Sequence, residues 1–350
     1  MKQIVQPFNN PPTNVLGAGV DERDLAAAIE HSGYPLQTVT ANSLRSSFAV
    51  QDEWAYIDRD TREPRAIDIF AQRHLFNVET EQPRVRPMLN LLIECKQSDL
   101  PYIFFLSPTP PMLLEFPIVA GLAQDQIRLT TDDSAATWYF LPIHLLGLEA
   151  HRFLRDPMYC YTFSKCVRKG KELELSGSES YNSLVLPIIK ALSHFQDAEE
   201  PPKTAGCFDA HLVLGIAVVN APMVGVRVLD KSNELGLLPW VRVVRHEYLE
   251  DLERWRRSKR LVVDIVHKDF FQKYIEDHVS PFANDFGALA MKHQKILATG
   301  RGFATGMQKD SWRDIEPRLS PRDIKAKTTR ARLIVQNVLR VITGRKPLGD

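Results

Sequence analysis

Two short apolar segments, Arg65-Ala66-Ile67-Asp68-Ile69-Phe70 and Leu91-Leu92-Ile93-Glu94-Cys95-Lys96-Gln97, read as strands, and each is interrupted by charge. Strand side chains alternate between faces, so Glu94 and Lys96 leave one side with Asn90 and Leu92, while Leu89, Leu91, Ile93 and Cys95 leave the other. The second group forms an uninterrupted apolar layer. Asp68 shares its own face with Ala66 and Phe70. Burying an unpaired carboxylate costs on the order of several kcal/mol, so two acids and a lysine in such strands call for a compensating cation.

Mg²⁺, or Mn²⁺ in its place, prefers carboxylate oxygens and water to nitrogen or sulfur ligands. Asp68 and Glu94 could hold one or two such ions, which would polarise a phosphodiester and acidify an attacking water. Lys96 would orient that water, assist its deprotonation or neutralise charge developing in the transition state. An acid on one strand followed by E-x-K on the next resembles the PD-(D/E)xK nuclease superfamily, with Asp68 matching the first acid and Glu94, Cys95 and Lys96 the E-x-K element. The resemblance covers roughly residues 20 to 107 and extends upstream. The stretch from Asp21 to Tyr34 is similar to the first helix of Holliday-junction-resolvase-like and Mrr-like members, which opens on a glutamate and ends in glycine plus an aromatic.

The resemblance implies an α/β (α+β) restriction-endonuclease-like fold, a mixed central sheet flanked by helices, and a metal-dependent endonuclease acting on DNA. The implied catalytic set is Glu22, Asp68, Glu94 and Lys96, with the metal on Asp68, Glu94 and the backbone carbonyl of Cys95. Helical geometry, at about 100° per residue, puts Glu22, Leu25 and Ile29 on one stripe, which predicts that Glu22 faces the sheet; Glu30 is the fallback and Gly33 the stop. The competing readings are plain ones. Asp68 would pair with Arg65 or Arg73, Glu94 and Lys96 would form a solvated face, Glu22 would be a first-turn acid favouring the helix dipole, and Cys95 a small buried hydrophobe.

The chain has 350 residues, 44% of them hydrophobic, enough for a substantial core. The start lacks the layout of a signal peptide, and the longest apolar run, Leu212 to Val228, is broken by Gly215, Asn220, Pro222, Gly225 and Arg227. The expectation is a cytoplasmic protein with no membrane partner. The four cysteines show no C-x-x-C spacing, which argues against a zinc site and for reduced thiols. The net charge of +1 is unevenly spread: residues 317–350 carry +7 and the remainder −6.

The pattern divides the chain into an N-terminal arm (1–20), a first part of the core (21–107), an insertion (108–178), the remainder of the core with a sheet extension (179–300) and a basic helical C-terminal extension (301–350). Within the last segment Ser320, Pro321 and Asp323 signal a helix start. Its residues Arg322, Lys325, Lys327, Arg330 and Arg332 are candidates for contact with nucleic-acid phosphates, against a solvated helix face. No P-loop is present, so any ATPase motor, or other defence subunit, would be a separate partner. A homodimer would place two sites for cutting both strands of a duplex. Restriction, phage defence, mobile-element biology and repair are all compatible with these features. The alternative function is a catalytically inactive nucleic-acid-binding or assembly subunit on the same fold.

Overall fold

The computed structural model describes residues 4–111, 113, 115–131, 136–248, 258–305 and 314–322. Two helices come first, α1 (Glu22–His31) and α2 (Tyr34–Leu44). The strands in chain order are β1 (Ala49–Ile57), β2 (Pro64–His74), β3 (Val85–Gln97), β4 (Tyr102–Leu106), β5 (Ile118–Ala120), β6 (Ile127–Thr131), β7 (Thr137–Phe140) and β8 (Tyr159–Lys169). They continue with β9 (Glu172–Ser176), β10 (Phe208–Asn220), β11 (Met223–Val228), β12 (Asn233–Leu237), β13 (Trp240–Tyr248), β14 (Ser258–His267), β15 (Arg301–Ala304) and β16 (Leu319–Ser320).

A mixed sheet in the order β1-β2-β3-β10-β14-β13-β8-β4-β11-β12 dominates the molecule, with β5 beside β10 and β9 beside β8. A smaller sheet runs β16-β15-β6-β7. At the centre β3 pairs in parallel with β10 along its whole length, from Val85↔Phe208 to Gln97↔Asn220. Both strands are nearly continuous apolar runs because helices cover both their faces. On one face Leu89, Leu91, Ile93 and Cys95 pack in a layer with Leu36, Ala41 and Leu44 of α2 and with Phe282, Phe286 and Ala290 of the helix Ser280–Lys292. On the other, Leu92 and Ala217 pack with Ile188, Leu192 and Phe195 of the helix Leu186–Ala198. Gly215 permits that approach: a Cβ there would lie 2.4 Å from Ile188 Cγ2 and 2.9 Å from Leu192 Cδ1.

The apolar layer expected of β3 is thus present, and the segments read as strands from Tyr102, Phe208, Trp240 and Leu261 all join the main sheet. Residues 108–178 contribute to both sheets: β5, β8 and β9 are hydrogen-bonded members of the main sheet, while β6 and β7 pair into the smaller one. α1 ends before Gly33, without a left-handed turn. Ser32 caps α1, and Gly33, at φ −71°, is already the N-cap of α2, where Pro35 restarts the helix within one residue. Most of the expected C-terminal helix, with Lys325, Lys327, Arg330 and Arg332, lies outside the described residues; Arg322 is exposed, and its N–H donates to Ser320 Oγ at 3.3 Å. No described helix is long and apolar enough to cross a membrane.

Candidate functional site

Asp68 sits where two β-ladders open together. The β1–β2 pairing is regular from Ala49↔Gln72 to Ile57↔Pro64 except at one step, where Glu53 stands opposite Asp68 between Asp52↔Ile69 and Trp54↔Ile67. The β2–β3 pairing runs from His74↔Met88 to Ile69↔Ile93 and ends just before Asp68 and Glu94. Glu53 takes a left-handed conformation, φ +50°, which for a non-glycine residue costs about 1–2 kcal/mol. The strict alternation of faces breaks at this point. Ile69 and Ala71 pack in the layer of Leu91 and Ile93, whereas Ile67 packs in the opposite layer with Tyr56 and Leu92.

Backbone groups that leave a ladder must find other partners. The Cys95 N–H donates to Asp68 Oδ2 at 2.7 Å, so a side chain takes the place of a strand–strand bond. The Asp68 carbonyl accepts from Gln37 Nε2 at 3.1 Å, and the same amide donates to Glu53 Oε1 at 2.7 Å. On β3, Lys96 Nζ lies 2.6 Å from Glu94 Oε1.

The electrostatics follow from burial. Glu94 is only 5% exposed. Burial, and then the charge of Asp68, raise its pKa to about 7 against the pull of Lys96. Burial also raises Asp68, with Glu53 adding to the rise, while the Cys95 N–H and Lys96 oppose it. For Lys96, burial disfavours the ammonium, but Glu94 and Asp68 outweigh it and the pKa is raised. Lys96 is therefore held in its cationic form by the two acids. One ammonium faces two carboxylates, and the excess is negative.

Of the residues expected to converge, Asp68, Glu94, Cys95 and Lys96 do. Glu22 does not. It occupies the first turn of α1, where its carboxylate accepts from the Ile4 N–H at 3.1 Å. The stripe that was to turn it inward is open to solvent, with Leu25 36% and Ile29 51% exposed and no residue of α1 buried. The fallback Glu30 touches the site's margin through its backbone alone, its carbonyl accepting from Gln97 Nε2 at 2.8 Å. The helix that packs over the site is α2, by way of Leu36, Gln37, Thr40, Ala41 and Leu44. Gln37 and Glu53 escaped the sequence reading. The spacing of Leu36, Thr40, Ala41 and Leu44 carried the signal for Gln37, since Gln37 falls on their stripe; nothing in the sequence marks a left-handed Glu53. The Cys95 thiol is pushed up by burial, as befits a packed hydrophobe.

The donor set is hard oxygen, two carboxylates whose lone pairs these contacts do not exhaust, and it suits Mg²⁺ or Mn²⁺ in kind. Among the described residues no group of three or more His, Cys, Asp and Glu side chains could hold a metal ion. A cleft of about 330 Å³ adjoins the kink, lined by Tyr34, Gln37, Arg45, Asp52 and Glu53 among others. No family model, curated protein or solved structure matches this chain.

Proposed function

We propose that this chain is a metal-dependent nuclease that hydrolyses DNA phosphodiester bonds on a restriction-endonuclease-like fold. One observation carries the reading: β2 and β3 part at the point where Asp68, Glu94 and Lys96 meet, leaving two carboxylates to share one ammonium. Mg²⁺, held by Asp68, Glu94 and the Cys95 carbonyl, would polarise the phosphate and acidify its water. Lys96, kept cationic by its two acidic neighbours, stabilises the charge that gathers on the phosphate oxygens as the bond breaks. Glu94 would serve in its ionised form, which a bound cation favours against the burial that raises its pKa. Asp68 is held through Oδ2 by the Cys95 N–H. DNA as substrate rests on the resemblance to PD-(D/E)xK nucleases, as do a homodimer, a separate ATPase partner and a role in defence or repair.

The test is incubation of the purified protein with supercoiled plasmid, linear duplex and RNA of matched length, each with Mg²⁺, Mn²⁺ or EDTA, beside Asp68→Ala and Lys96→Ala. Expected are cleavage of DNA that needs the divalent ion, its loss in Asp68→Ala, and a fall of about 10²–10³-fold in Lys96→Ala. Cleavage that survives both substitutions overturns the reading. Salt-sensitive DNA binding without turnover by the wild type selects the inactive binding subunit in its place.

A further inference from the structure

We propose that Gln37 is the positioning residue of this site, setting where the Asp68 carboxylate stands; its kinetic consequence rests on the nuclease reading, its geometry does not. Gln37 is buried on the inward face of α2. A primary amide has two N–H donors, and both are spent here, one on Glu53 Oε1 at 2.7 Å and one on the Asp68 carbonyl at 3.1 Å. Both partners are acceptors, so only this orientation of the amide satisfies them.

These partners face each other at the step missing from the β1–β2 ladder, and Asp68 lies just past the end of the β2–β3 ladder. Asp68 is the one residue of β2 outside both pairings, so its peptide is the least constrained in the strand, and a rotation there would swing the side chain away from its target. Gln37 holds the plane by its carbonyl from the helix side. From the strand side, the Cys95 N–H holds the carboxylate. One turn further along α2, Ala41 packs in the same apolar layer as Cys95, so the same helix face contacts both strands where they part. The residue type fits the task. An aliphatic side chain would leave the Asp68 carbonyl unpaired, and a glutamate would add a fourth acid and have no N–H to give. An amide bonds both strands and stays neutral.

A clamp of this kind makes a prediction that simple core packing does not. The chain has four cysteines, so protein labelled with ¹⁵N-cysteine gives four amide signals, from Cys95, Cys160, Cys166 and Cys207. In Gln37→Leu, which keeps the bulk and loses both bonds, the Cys95 signal is expected to shift and its hydrogen exchange to quicken roughly tenfold, the factor an ordinary hydrogen bond supplies. Cys166, whose N–H donates to Pro101 O, serves as control and stays in place. On plasmid DNA the turnover number falls about 10–100-fold while KM changes less than about threefold. Gln37→Glu, kept in case the leucine variant fails to fold, loses the same bond to Asp68 and is expected to behave alike.

The double variant Gln37→Glu/Glu53→Gln restores a side-chain bond between α2 and β1 but not the bond to the Asp68 carbonyl, and is expected to remain impaired. An unmoved Cys95 signal in Gln37→Leu, unchanged turnover in either single variant, or full rescue by the double variant overturns the proposal. A wild-type protein that cuts no DNA sinks the nuclease reading instead, and the Cys95 signal still decides on Gln37.

Discussion

Arg242 and Asp264 face each other across β13 and β14, much as Asp68 and Glu94 meet where β2 leaves β3, but only the first pair is closed. The Arg242 guanidinium donates from Nε to Asp264 Oδ1 at 2.7 Å and from Nη2 to Oδ2 at 2.8 Å. Its Nη1 donates to the Phe153 carbonyl at 2.9 Å, and the Tyr274 hydroxyl donates to Asp264 Oδ2 at 2.7 Å. The rings of Phe116 and Phe153 lie over it, with centroids 4.4 and 4.5 Å from Cζ. Charge is matched one to one and each guanidinium nitrogen has a partner, which is how a sheet tolerates an arginine that is 0% exposed. Around Lys96 two acids share one cation. The same sheet therefore holds one charged pair finished for stability and one set left incomplete, and the incomplete one is where a positively charged ligand has something to offer.

The sharpest way to break this contrast is to remove one acid from each place. Asp264→Ala strands a buried guanidinium and is expected to cost about 3–5 kcal/mol, read from urea unfolding at neutral pH. Glu94→Gln removes a charge that its surroundings already resist, so at the same pH it should cost under about 1 kcal/mol or stabilise the protein, while abolishing cleavage. Equal costs for the two would show that the acids at the open site are structural.

How much of this was legible beforehand follows the same line. Asp68, Glu94 and Lys96 stood out because charge in an apolar period-two pattern is conspicuous, and the layer of Leu89, Leu91 and Ile93 follows from the same alternation. The third acid was misplaced. Glu22, Leu25 and Ile29 do form a stripe on α1, but a stripe says only that a helix has an apolar side, not that the sheet receives it. The face over the site went to α2, whose Leu36, Ala41 and Leu44 are buried in the layer of β3. Glu53 could not be read at all, because a left-handed residue is imposed by the two ladders opening around it, and that is a tertiary event. Arg242 and Asp264 were invisible for a related reason: each lies in an ordinary strand, and only the pairing of β13 with β14 brings them together.

A second prediction uses pH. Folded Glu94 keeps its proton up to about pH 7, whereas its ordinary value is 4.5. The folded state therefore binds the extra proton between these values. Stability from this group is complete below about pH 4.5 and is lost as pH rises through about 7, by up to about 3 kcal/mol. Asp68, raised by burial, acts in the same direction. Urea midpoints measured from about pH 5 to 8 should fall with rising pH in the wild type and fall much less in Glu94→Gln. Millimolar Mg²⁺ should flatten the wild-type slope, since a cation favours the ionised acids. A slope of the same size in Glu94→Gln would assign it to other groups.

The smallest effect separates backbone strain from charge at the open site. Glu53→Ala and Glu53→Gly both delete the bond to Gln37 and the negative charge beside Asp68, so those losses cancel when the two variants are compared. Alanine still has to adopt φ +50°, which glycine does at no steric cost. Glycine gives up more freedom on folding, but at a left-handed position the steric term is the larger of the two. The glycine variant should therefore unfold at the higher urea concentration, by about 1 kcal/mol at an unchanged denaturant slope. If alanine is equally stable, the kink at Glu53 is relaxed, and the contrast between the closed and open regions is one of charge alone.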